Sequence, residues 1–193
     1  MASAAQARED ASDLCLQAAS DAARQTGVPY EVLLAISKVE TGRAGRPWPW
    51  TVNFAGDGHW FESAAEAEAS VTDAIDRGAT NIDLGCFQLN YRWHADGFAS
   101  VADMLDPVRN ATYAATFLAE QFDRTGDWAS AAAAYHSGTP EYAELYQTKF
   151  EAAYAELDGS VPPPETVSVA EARTNGFPLL MAGMTGRNGS LVP

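Results

Sequence analysis

Glu40 is the side chain whose position in the sequence points most directly to chemistry. Taking Val32 as zero and advancing about 100° per residue, Leu33 falls at about 100°, Ile36 at about 40° and Val39 at about 340°, which defines an apolar helix stripe. Glu40 falls near about 80°, inside that stripe. A carboxyl group on the core-facing side of a helix loses water, which raises its pKa and favours the protonated acid. Its place in the last turn, where the helix dipole disfavours negative charge, pushes the same way. A carboxylic acid kept protonated near neutrality is what cleavage of a glycosidic bond needs as its proton donor. The alternatives from geometry alone are a glutamate turned to solvent, or one paired with Arg43 or Arg46.

Other polar side chains bear on what such an acid would do. Glycosidases that use water normally carry a second carboxylate flanking the bond. Asp83 is the candidate closest to a motif, although an aspartate before a Leu-Gly turn more often serves local backbone hydrogen bonding. His59, His94 and His136 lie far apart in sequence without the short ligand pair typical of zinc sites, so no metal is expected. The sequence has neither a Gly-x-Ser-x-Gly elbow nor a phosphate-cradling glycine loop, and no cofactor is expected. Cys15 and Cys86 are accounted for without remainder by one disulfide, with two buried free thiols as the alternative. Asn110-Ala111-Thr112 matches the glycosylation triplet, a signal too short to carry weight.

The elements that must position these residues read mostly as helix. Asp10 to Gln25 is alanine-rich and stops at Gly27, after which Pro29 suits the first position of a helix running from Tyr30 to about Glu40. Trp50 to Phe54 and His59 to Phe61 flank a Gly-Asp-Gly turn and read as a small β-hairpin. Ser63 with Glu66 forms a capping box that opens a helix ending at Gly78. Asn81 to Tyr91 reads as a loop with a short extended piece. Three further helices are expected: from Asp106-Pro107 through Phe122, from Trp128 to Tyr135, and from Thr139-Pro140 to Leu157. The architecture is therefore mainly α with a minor hairpin. Residues 8–158 are expected to form one domain, and residues 159–193, rich in Gly, Ser and Pro, an extended C-terminal tail.

Composition narrows the function classes. The chain has 193 residues with 12 basic and 26 acidic side chains, a formal charge of −14, so it lacks the basic face a nucleic-acid binder needs. Hydrophobic residues at 47% suffice for a packed core. No run approaches the roughly 18 apolar residues of a membrane span. Ala5-Gln6-Ala7 before Arg8-Glu9-Asp10 resembles the small-residue end of a secretory signal whose hydrophobic region is missing, so export to the periplasm is expected. A helix start rich in alanine reads the same way. Residues 1–50 carry five basic and six acidic side chains, leaving −13 to the remainder, so Glu40 belongs to the near-neutral portion with Arg43 and Arg46 just beyond it.

Three segments taken together resemble one enzyme family. They are Ala35-Ile36-Ser37-Lys38-Val39-Glu40-Thr41-Gly42, then Asp83-Leu84-Gly85-Cys86-Phe87-Gln88-Leu89-Asn90, then Ala134-Tyr135-His136-Ser137-Gly138. In order and spacing they resemble the soluble lytic transglycosylases of glycoside hydrolase family 23, over about Asp13 to Leu157. Pro49-Trp50-Thr51-Val52-Asn53, Cys86 before Phe87-Gln88, and Asn90-Tyr91-Arg92-Trp93-His94 resemble most closely the branch associated with type IV secretion and flagella.

The resemblance implies a lysozyme-like fold of the goose-type kind. It also implies cleavage of the bond between N-acetylmuramic acid and N-acetylglucosamine in peptidoglycan without water, leaving a 1,6-anhydromuramoyl end. Glu40 becomes the single catalytic acid. Gln88 would hydrogen-bond a sugar N-acetyl group or position Glu40, and Tyr135 and Tyr146 would stand beside the glutamate. Three positions depart from the family pattern. His136 replaces the usual asparagine after the tyrosine, as is familiar in the secretion and flagellar branch, with packing and sugar contact as its alternative roles; Phe87 stands where methionine is common and keeps an apolar wall, and Thr41 replaces serine with its hydroxyl retained. The expected partners are peptidoglycan strands and a flagellar rod or secretion component, with the enzyme itself a monomer. Phe177-Pro178-Leu179-Leu180-Met181 in the tail would suit docking to such a partner, or packing near the groove. A hydrolytic muramidase and a wall-binding assembly factor are the alternative functions.

Overall fold

The computed structural model of the protein describes residues 4–43 and 45–157. The tail with its Phe177 to Met181 run therefore lies outside the described residues. Helix α1 (Ala4–Thr26) buries Ala11, Cys15, Ala18, Ala19, Ala22 and Ala23, a stripe at helical spacing whose small side chains admit a close neighbour. That neighbour is α6 (Pro107–Thr125), which presents Ala111, Ala114, Ala115 and Leu118. Helix α2 (Tyr30–Thr41) is buried continuously from Val32 to Ser37, because α1 packs against it on one side and α8 (Pro140–Ala155) on another. Pro29 caps α2 rather than occupying its first turn, and its carbonyl accepts from Val32 and Leu33.

The expected hairpin is present, as β1 (Thr51–Phe54) and β2 (Asp57–Trp60). Its turn is formed by Ala55 and Gly56, both with positive φ, and the Asn53 side chain accepts from the Gly56 amide. The hairpin is half of a larger sheet. β3 (Ile82–Leu84) and β4 (Leu89–Asn90) extend it antiparallel in the order β2-β1-β3-β4, where a loop with one extended piece was expected. The register sets Asn53 opposite Asp83, and Asp83 opposite Asn90, on neighbouring strands.

Local capping fixes the remaining helices. Ser63 accepts from the Glu66 amide at the start of α3 (Ala64–Asp76), while Glu66 reaches back to the Glu62 amide. Asp106 and Asp127 cap α6 and α7 (Trp128–His136) through the amides of Arg109 and Ser130. Thr139, expected to cap α8, makes no side-chain capping bond, and Pro140 alone marks that start. Two short helices, α4 (Tyr91–His94) and α5 (Val101–Leu105), and the 3-10 turn Ala95–Gly97 add to the expected elements.

Cys15 and Cys86 form a disulfide with Cα atoms 5.7 Å apart, tying α1 to the turn between β3 and β4. The bond closes a sequence separation of 71 residues. Reduction is expected to lower unfolding free energy by about 4 kcal/mol, from the chain entropy regained by the unfolded state. Urea denaturation with and without reductant measures this, and superimposable curves would refute it.

Candidate active site

Glu40 lines a cleft. It stands in the last turn of α2 with its side chain 13% exposed. The cleft has a volume of about 670 Å³ and is walled by Asp83 and Gln88 from the sheet side, Trp93 and His94 from α4, and Tyr135 and His136 from the end of α7. Arg43 pairs with Glu62 at 3.3 Å and Arg46 with Asp13 at 2.6 Å, so neither arginine neutralises Glu40. The basic group beside Glu40 is His136, whose Nδ1 lies 3.6 Å from Oε1. The His136 ring stacks on Tyr146 with centroids 4.2 Å apart and planes within 10°.

Tyr146 completes this layer from below. Among the described residues its buried hydroxyl has no partner in good hydrogen-bond geometry, Glu40 being the polar group it approaches, and burial, reinforced by the Glu40 carboxylate, pushes its pKa well up. It therefore stays a neutral phenol beside the carboxyl group. Tyr135 is likewise held neutral by burial first and by Glu40 and Asp83 after it. Its hydroxyl donates to the Phe87 carbonyl at 2.7 Å.

The turn from Gly85 to Gln88 sets the opposite wall. Its frame is Asn110, a fully buried side chain of α6. The Asn110 amide nitrogen donates to the carbonyls of Leu84 at 3.0 Å and Met104 at 2.9 Å, and its oxygen accepts from the Phe87 amide at 2.9 Å. Gly85 has φ +80°, and a Cβ there would stand 2.6 Å from the Asn110 amide, so the turn requires glycine on both counts. Ser37 of α2 donates to the Cys86 carbonyl at 2.8 Å. Gln88 adopts φ +45° and donates both amide hydrogens to backbone, to Thr51 and Gly85 at 3.0 Å each. Only its Oε1 is left for a ligand.

The structure thus brings Glu40, Gln88, Tyr135 and His136 to one cleft, with Tyr146 directly behind. Two expected site residues act from elsewhere. Phe87 is fully buried and absent from the cleft, so the expected apolar wall against sugar is replaced by a backbone role, its amide held by Asn110 and its carbonyl by Tyr135. Thr41 is also fully buried, donating to the Ser37 carbonyl at 2.9 Å and accepting from the Trp48 amide at 3.0 Å, which fixes the end of α2.

Asp83 opens on the same cleft as Glu40 and accepts from Asn90 Nδ2 at 2.7 Å. Burial raises its pKa, the Asn90 hydrogen bond opposes that, and the Glu40 charge adds to the rise. Asn90 also caps α4 by accepting from the Arg92 amide, so one side chain joins Asp83 to the segment carrying Trp93 and His94. Asn110 and Asn90 hold the frame of the cleft, a role that the motifs assign to neither of them. For Asn110 the available signal was a polar side chain among the apolar positions Ala111, Ala114 and Leu118 of α6.

A helical body around a small antiparallel sheet, with an acid at a helix end in the cleft, is the lysozyme-like class of fold. A family model described as Transglycosylase SLT domain matches residues 59–157, just over half of the 193 residues. The chain belongs to the transglycosylase SLT domain family. The match spans Gln88, Tyr135, His136 and Tyr146 and begins downstream of Glu40. Searches of curated proteins and of solved structures returned no significant match.

Asn110→Ala would strip hydrogen bonds from three buried backbone groups at once. The expected cost is about 3 kcal/mol of stability, read as a lower urea midpoint with unchanged slope. A loss within experimental error would show that the turn holds without this side chain.

Proposed function

We propose that this protein is a peptidoglycan lytic transglycosylase in which Glu40 is the single catalytic acid. The observation that carries the reading is Glu40 itself: a largely buried carboxyl group on the cleft floor, paired with neither Arg43 nor Arg46. Membership of the SLT domain family supports the activity and the substrate.

Protonated Glu40 gives its proton to the glycosidic oxygen, and the bond from that oxygen to C1 of N-acetylmuramic acid breaks. The C6 hydroxyl of the same sugar then bonds to C1, and its proton passes to the Glu40 carboxylate. The acid is regenerated and no water is consumed. His136, stacked on Tyr146, orients the Glu40 oxygen 3.6 Å away. Gln88, with its donors committed to backbone, offers Oε1 to the N–H of a sugar acetamido group.

A second reading has one observation in its favour. Asp83 shares the cleft, and two carboxylates flanking the bond would suit a hydrolytic muramidase. The Cys15–Cys86 disulfide supports an oxidising compartment such as the periplasm. The Pro49 to Asn53 and Asn90 to His94 segments support a role in opening the wall for a flagellum or secretion apparatus.

Glu40→Gln is expected to slow clearing of purified sacculi by about a thousandfold with the fold retained. Mass spectrometry of muropeptides released by the unaltered protein is expected to find anhydromuramoyl ends. Lysis by the Gln variant would remove Glu40 from the mechanism. Reducing ends, with oxygen taken up from isotopically labelled water, would replace transglycosylation by hydrolysis.

A further inference from the structure

The cleft carries one large aromatic side chain that the fold does not use. Trp93 lines the cleft and is 71% exposed, so it contributes little to the core. Its neighbours in α4 are packed: Tyr91 lies against the core, and His94, which shares the cleft, lies edge-on to Tyr113 and Phe117 at 5.5 and 5.0 Å between ring centroids. The segment is rigid at its base, because Asn90 caps it and is bound to Asp83 and Asn81. An indole is thus held out over a polar cleft by a fixed turn.

Arg92 sits over the Trp93 ring, its guanidinium carbon 4.8 Å from the centroid. With Arg92 against the ring, the indole is still largely exposed and open to a ligand. A pyranose ring presents C–H bonds on its flat side, slightly positive, which match the negative face of an aromatic ring. Among the described residues no carboxylate forms an ion pair with Arg92. Asp83, the second carboxyl group of the cleft, disfavours an anionic ligand, and Arg92 beside Trp93 offsets it.

We propose that Trp93 and Arg92 form a sugar-binding platform at the rim of the cleft, Trp93 stacking on an N-acetylhexosamine ring and Arg92 selecting strands that carry carboxylates. The inference rests on the cleft being the glycan site. It adds a specificity-determining pair to that site: Trp93 recognises the ring, and Arg92 recognises the acid groups of the lactyl substituent or stem peptide.

The test uses the Glu40→Gln protein, so that binding is read without turnover, with a chitin oligosaccharide and a soluble carboxylate-bearing peptidoglycan fragment as probes. Trp93→Ala is expected to weaken both by about tenfold, and Trp93→Tyr to restore most of the loss. Arg92→Ala is expected to weaken the peptidoglycan fragment by about fivefold, less in high salt, and the neutral oligosaccharide much less. Trp93 is exposed, so unchanged thermal melting serves as the folding control. Unaltered binding by Trp93→Ala, where the parent binds both probes, overturns the platform and leaves the glycan cleft standing. Equal loss on both probes for Arg92→Ala overturns the selection of carboxylates. Failure of the parent to bind either probe overturns the glycan cleft and the platform together.

Discussion

Three hydrogen bonds made by the buried Asn110 side chain hold together the parts on which the cleft depends. One amide spans β3 at Leu84, α5 at Met104 and the turn at Phe87, and none of these groups has access to water. Removing such a partner leaves buried backbone groups unsatisfied, at a cost well above the net worth of an ordinary hydrogen bond. Gly85 is part of the same constraint, since any larger residue would collide with Asn110. The turn so fixed presents its carbonyls to Ser37 and Tyr135, and in this way α2 and α7 are brought to their places around it. Glu40 lies one turn of α2 beyond Ser37, so the acid inherits its position from an amide on a different helix.

A layered arrangement follows on the other side of Glu40. Tyr146 is buried, His136 lies flat on it, and the carboxyl group meets the imidazole edge. Neither phenol in this layer can ionise near neutrality, because burial and the Glu40 charge both oppose it. His136 and Asp83 are the polar neighbours that share the cleft with Glu40.

Much of this was legible in the sequence where the signal is local. Ser63, Asp106-Pro107 and Asp127 mark helix starts because caps and prolines act within a few residues. Glu40 was legible because a charged residue on an apolar stripe demands an explanation. The same logic applies to Asn110, a polar side chain among the apolar positions of α6. β3 and β4 were illegible as strands: three and two residues are too short for alternation to show, and they exist because β1 and Asn110 hold them. Phe87 looked like a sugar-facing wall because its motif belongs to the site, yet β3 and α6 turn its side chain into the core and leave only its backbone near the cleft. Gln88 is the converse case, a side chain at the site whose donors are spent on backbone.

The distribution of charge is where sequence position misleads most. Arg43 and Arg46 follow Glu40 closely and suggest a basic surround for the acid, which an enzyme of formal charge −14 would need for an anionic polymer. In the fold both turn away, Arg46 to α1 at Asp13 and Arg43 to Glu62 and the Trp48 ring. Screening at physiological salt confines exposed charges to about 8 Å, so the bulk of the −14 has little force at the cleft and the nearest groups decide. Those groups are Glu40, Asp83, His136 and, stacked on the cleft-lining Trp93, Arg92. Fifty-two residues of sequence separate Arg92 from Glu40, and only the pairing of β3 with β4, with Asn90 as the joint, brings its segment to the same cleft. The electrostatic character of the site is therefore a property of strand pairing rather than of the residues adjoining the acid.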